Sequence, residues 1–156
     1  MKTMNDVVDA LSMPESYKDL CHEHHDGTPM PSADALRDIV ELVRAIVFPG
    51  YYGHSSINTR TLKYHIGVQV ERLFSMLVEQ ILAGLSFADY RNMAAYEAYT
   101  QQTIVTELRR MATERAERFI ALLPEIRRVL ATDVVAAFNG DPAAKSYGEI
   151  ISCYPI

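Results

Sequence analysis

Apolar residues recur at three- and four-residue intervals over most of this chain, the signature of amphipathic helices. The clearest run lies between Asn58 and Gly84, where Leu62, Ile66, Val70, Leu73, Leu77 and Ile81 mark one face. Phe74, Val78, Leu82 and Leu85 widen that stripe, and Lys63, Glu71, Arg72 and Glu79 fall off it. Asn58 or Thr59 is placed to accept from the free amides of the first turn, and Gly84 to stop the helix. The pattern predicts a helix over about residues 59–84, roughly 36–40 Å long at ~1.5 Å per residue. A second long helix, antiparallel to it, is predicted over residues 89–123 on Met93, Tyr96, Ile104, Leu108, Met111, Phe119 and Leu122. Its polar face, TELRRMATERAER, mixes charges, with Glu114 and Arg118 four apart in the favourable order.

Shorter elements flank these two. Ser32 can cap a helix with the stripe Leu36, Ile39, Val40, Val43, Ile46 and Val47, which Pro49 and Gly50 end. The loop FPGYYGHSSIN follows. Residues 1–31 hold short helical pieces around Asp6–Leu11 and after Pro14, then the polar linker HEHHDGTPMP, and residues 32–156 form the helical domain proper. Further on, Pro124 fits a first helical position, followed by Ile126, Val129, Leu130, Val134 and Ala137. Asn139-Gly140 offers a stop that tolerates positive φ, and Asp141-Pro142 a restart in which Asp141 caps the last helix, AAKSYGEIISCY. No alternating run long enough for a strand is present. The expected fold class is all-α, a helical bundle with two long antiparallel helices and shorter packed ones. Leu62, Ile66, Leu73, Leu77, Leu108, Phe119, Ile126 and Leu130 are its expected core.

Composition narrows the function classes. The 156 residues suit one domain with a real core, and 49% are apolar against 22% charged, a globular balance. A net charge of -5 and the lack of a basic cluster interleaved with aromatics argue against nucleic acid as a partner. No stretch reaches the ~18 uninterrupted apolar residues of a membrane span, and the start, MKTMNDVVDALS, lacks a signal-peptide core. Cys21 and Cys153 are too far apart in sequence to suggest a disulfide framework, so the expectation is a cytoplasmic, reducing location.

Few residues invite chemistry. CHEHHD, residues 21 to 26, gathers a thiol, three imidazoles and two carboxylates. A structural zinc site draws ligands from two separated segments, and only His54 and His65 lie elsewhere, so a polar surface turn is expected and no metal is assigned. FPGYYGHSS has two glycines but neither the lysine nor the preceding strand of a phosphate loop. No nucleophile stands beside a base in a recognisable motif, so the residues by themselves imply no enzyme.

The ordered segments add more. LPEIRRVLATDVVAAFNGDPAAKSYGEIISCYP sets Asp133 eight residues before Asp141, then Asp-Pro-Ala at 141 to 143, then a helix ending in Cys-Tyr-Pro at 153 to 155. With ELVRAIVFPGYYG, TLKYHIGV and EQILAGL upstream, this resembles the N-terminal helical region of bacterial serine O-acetyltransferases from about Ala33 onward. The resemblance implies transfer of acetyl from acetyl-CoA to the hydroxyl of L-serine in cysteine biosynthesis. It implies a left-handed β-helix of hexapeptide repeats carrying the histidine general base, its aspartate and the acetyl-CoA site. Residues 1–156 contain none of these, so the expectation is that this chain alone is inactive, holds no cofactor and uses acetyl-CoA only as co-substrate of the full enzyme. By its match to the Asp-Pro-Ala triplet, Asp141 corresponds to the family's serine-binding aspartate. The resemblance also implies a homo-oligomer, and in some relatives binding of the O-acetylserine sulfhydrylase through a C-terminal isoleucine, a role not assigned to Ile156. The alternative is a free-standing helical oligomerisation or regulatory module without catalysis.

Overall fold

The computed structural model describes residues 3–18, 30–53, 57–90 and 98–154, by the backbone alone at 88–90 and 98–104. Six helices follow in order: α1 (Met4–Ser12), α2 (Pro14–Tyr17), α3 (Ala33–Val47), α4 (Leu62–Tyr90), α5 (Ala98–Gly140) and α6 (Tyr147–Cys153). Among the described residues there is no strand, and the fold is all-α.

Local chemistry sets most helix starts. Thr3 and Asp6 form a reciprocal capping box on α1. Ser32 Oγ accepts from Ala35 N at 3.2 Å, and Asn58 Oδ1 accepts from Arg60 N and Thr61 N, both at 3.0 Å, ahead of α4. After α3 the chain reverses through Phe48–Tyr51, with Tyr51 N donating to Phe48 O at 3.2 Å. Pro49 and Gly50 are its central residues, and φ of +87° at Gly50 is the backbone a type II turn requires at its third position.

The long pair packs antiparallel. Val78 and Leu82 of α4 meet Leu108, Ala112 and Ala116 of α5, while Leu73 meets Leu123, so the pairing rises along one helix as it falls along the other. Fully buried alanines at 112 and 116 present no bulk between the two helices. α3 closes the middle of the bundle with Ile39, Leu42 and Ile46 against Leu73 and Leu123. Ser32 N donates to Gln80 Oε1 at 2.8 Å, and Arg127 Nη2 donates to Ile46 O at 2.5 Å, satisfying a carbonyl at the C-terminal end of α3. A third cluster, Val134 with Ile150 and Ile151, fastens α6 and the Phe48–Tyr52 turn to the far end of α5. α1 and α2 pack on each other and, among the described residues, on no other element.

Several boundaries differ from the periodicity. α4 does not stop at Gly84 but runs to Tyr90, because Val78, Leu82 and Ala83 are buried before that glycine and Leu85, just after it, packs on the same cluster. Pro124 does not open a helix; it lies inside the 43-residue α5. A proline there removes one backbone hydrogen bond and costs about 3 kcal/mol, but Phe119, Ile120 and Leu123 before it and Ile126 after it all pack on one core. That shared burial holds the helix through. Within the expected core, Leu73 and Leu108 are buried, while Leu62, Ile66, Leu77, Phe119, Ile126 and Leu130 are half-buried. Leu36 and Val40 of the α3 stripe and Leu122 and Val129 of α5 are exposed, since no further helix among the described residues covers them. Arg110, not Arg118, pairs with Glu114, and it also binds Glu107 at 2.9 Å. These are open surface pairs of small worth.

Candidate substrate-binding site

Asp141 follows the last residue of α5, and its N–H donates to Ala137 O at 3.1 Å, completing the final turn. The next residues turn sharply: Ala144 N donates to Asp141 O at 3.1 Å, and Ala143 N to Asp141 Oδ1 at 2.8 Å. Pro142 at the second position suits such a turn, and the side-chain bond makes it an Asx turn. Asp141 therefore does not cap the last helix. Ser146 does, accepting from Glu149 N at 3.1 Å, while Glu149 Oε2 accepts from Lys145 N at 2.8 Å. The helix expected from Ala143 starts four residues later, at Tyr147. Nor does the stop at Gly140 use positive φ; the left-handed glycines of the described residues are Gly50 and Gly53.

The second carboxylate oxygen, Asp141 Oδ2, accepts from the hydroxyl of Tyr154, thirteen residues on. Tyr154 ends α6, its N–H donating to Ile150 O at 3.1 Å, and its ring packs on the Val134–Ile150–Ile151 cluster beside Phe48 and Tyr52. Tyr52 in turn donates through its hydroxyl to Ile151 O, and Gly148 leaves room for Tyr51, whose Cε1 lies 3.2 Å from where a Cβ would stand. The tyrosine-rich loop thus braces α6, as a connecting loop over the core edge should. Arg44 lays its guanidinium over the Tyr52 ring, 4.2 Å from its centre, and bonds Glu41 at 2.9 Å. Between α3 and α5 these side chains line an apolar groove of about 390 Å³ with Val43, Ile126 and Leu130, and Tyr154 forms one wall.

The electrostatics favour a cation at Asp141. The hydrogen bond from Tyr154, then that from the Ala143 amide, hold its carboxyl below the usual carboxylate range, so it is ionised at neutral pH. The same contact, with burial and the charges of Asp141, Glu149 and Cys153, raises the Tyr154 phenol. Asp141 sits just past the negative end of α5, and Tyr154 just past that of α6. A carboxylate at the negative end of α5 disfavours anions and suits an ammonium group.

Of the residues the sequence singles out, Asp141 is placed in a defined, half-buried setting, and Asp133 lies exposed on α5 two turns earlier. Cys153 is exposed and free. Residues 21–26, His54 and Ile156 lie outside the described residues. Among the described residues no group of three or more His, Cys, Asp or Glu is arranged to hold a metal ion, and no helix is long and apolar enough to cross a membrane. Two features escape the sequence reading. Ser146 and Glu149 carry the Ser-x-x-Glu spacing of a helix start, legible but overshadowed by Asp141-Pro142. Tyr154's bond to Asp141 has no sequence signal, since only the return of α6 brings the two together.

No protein-family model matches the chain. A curated relative, the plasmid serine acetyltransferase of Synechococcus elongatus, is 35% identical over 127 residues. The match covers 81% of this chain but 38% of the relative, so the chain spans well under half of that protein's length. Along four fifths of its residues this chain is similar to a serine acetyltransferase, the family its ordered segments resemble.

Proposed function

We propose that this helical domain serves a serine O-acetyltransferase, the enzyme that converts acetyl-CoA and L-serine to O-acetylserine and CoA. The observation that carries the reading is the 35% identity to a serine acetyltransferase over 127 residues. The geometry around Asp141 supports a specific role within it. An ionised carboxylate, held by two donors and set at the C-terminal end of α5, is suited to the ammonium group of an amino acid. Bound there, serine is anchored at its α-amino end, leaving its hydroxyl free for a general base and the thioester that a β-helix domain supplies. Acetyl passes from the sulfur of CoA to the serine oxygen, the base takes the hydroxyl proton, and CoA leaves as the thiol. The domain boundary near residues 31 and 32, the cytoplasmic location and the sulfhydrylase partner belong to the same proposal. So does assembly into a homo-oligomer, supported by the exposed apolar side chains of Leu36, Val40, Leu122 and Val129.

The test compares CoA release from the 156-residue chain with that from the same chain joined to a β-helix domain. The joined protein should release CoA only when serine is present, and the 156-residue chain should release none. Asp141→Asn in the joined protein should lower kcat/KM for serine about 10- to 150-fold, the range of a lost charged hydrogen bond, with little change for acetyl-CoA. Turnover by the short chain near the joined rate, or serine-independent CoA release, would overturn the assignment. Full activity of Asp141→Asn would remove Asp141 from the serine site.

A further inference from the structure

We infer that Tyr154 is the positioning residue for the Asp141 carboxylate, its hydroxyl fixing the plane in which that carboxylate meets substrate; the inference rests on the serine-binding reading of Asp141. An aspartate at the end of a helix ordinarily rotates about its last side-chain bond. The Asx bond from Ala143 N engages Oδ1, but both partners lie in one short turn and move together. The bond to Tyr154 is different in kind, because it ties Oδ2 to a side chain anchored in the core.

That anchor is built in steps. Ile150 is fully buried and Ile151 nearly so against Val134, which seats α6 on α5. The Tyr52 hydroxyl holds the Ile151 carbonyl, so the last turn of α6 is pinned from the loop side as well. The Tyr154 ring leaves that turn and packs on the same cluster, so its hydroxyl comes to Asp141 from a fixed direction. A carboxylate has about four acceptor sites, and the two bonds use one on each oxygen, leaving capacity on both for an ammonium group. A donor at Oδ2 also favours the ionised form that the ammonium requires. The other charged or titratable groups bearing on the pair are Glu149 and Cys153 on α6, with Arg44 and Tyr52 across the groove.

A purely structural role, in which the bond merely staples α6 to α5, makes different predictions. Tyr154→Phe keeps the ring in the cluster and removes only the hydroxyl. The chain joined to a β-helix domain is compared as wild type, Tyr154→Phe, Asp141→Asn and the double variant. Tyr154→Phe should raise KM for serine about 3- to 10-fold, leave KM for acetyl-CoA unchanged, and keep the wild-type helix content by circular dichroism. The double variant should be no worse than Asp141→Asn alone, since the hydroxyl acts only through that carboxylate. Carboxyl NMR titration of the 156-residue chain supplies a readout independent of turnover: the Asp141 pKa should rise toward the ordinary value in Tyr154→Phe. Losses that multiply in the double variant, an unchanged Asp141 pKa, or a drop in melting temperature with serine KM unmoved would each overturn the positioning role. Failure of the serine-site reading looks different, because Asp141→Asn would then be fully active whatever Tyr154→Phe does.

Discussion

Asp141 and Ser146 divide two tasks that a single Asp-Pro pair suggests for one residue. Asp141 folds the turn through Ala143 and accepts from Tyr154, while Ser146 accepts the first-turn amide of α6. Their substitutions should therefore separate. Ser146→Ala removes a cap and should cost about 1 kcal/mol in urea or thermal unfolding. Asp141→Asn keeps an oxygen for the Ala143 amide and offers Tyr154 a new donor, so the melting temperature should stay close to wild type. A larger loss for Asp141→Asn than for Ser146→Ala would mean that the charged bond to Tyr154, rather than the Ser146 cap, holds α6 in place.

Helix α5 is the element whose construction departs furthest from local propensity. Pro124 is exposed in its middle, where it contributes no N–H to the Ile120 carbonyl. The neighbouring Leu123 is 5% exposed, and Ile120 and Ile126 pack on the same cluster, so the helix is held from its buried side while the proline faces out. Alanine fits that backbone without strain, restores the missing bond and has the best helix propensity. Pro124→Ala should raise the melting temperature, with a stabilisation of about 1–3 kcal/mol in denaturant titration. A destabilised variant would show that the ring's packing beside Ile46, Val70 and Arg127 outweighs the helix gain.

In the whole molecule, three clusters along the α4–α5 rod carry the packing, and the one at its α6 end carries the candidate site. Leu73 is fully buried where α3, α4 and α5 meet, so its side chain helps hold all three together. Leu73→Ala should cost about 2–5 kcal/mol, measured as a shift in the urea midpoint with little change in slope. Truncating exposed Val40 to Ala should cost far less unless a further subunit covers it; a concentration-dependent loss of stability would reveal that cover.

Periodicity alone was enough for the all-α class, the two long rods, their antiparallel pairing and the caps at Ser32 and Asn58, because these depend on side-chain spacing and on bonds within three residues. The Asp-Pro-Ala triplet singles out Asp141 only through the family resemblance, and says nothing of its surroundings. Where helices end was decided in three dimensions: Gly84 and Pro124 are local stop and start signals, and apolar faces that pack on one cluster before and after each of them prevailed. The α3 stripe ran the other way, with Leu36 and Val40 apolar by pattern and exposed because nothing in the described bundle reaches them. The bond from Tyr154 to Asp141 belongs wholly to the tertiary structure. It exists because Ile150 and Ile151 seat α6 against α5, and no spacing rule brings together residues thirteen apart across a turn and a helix.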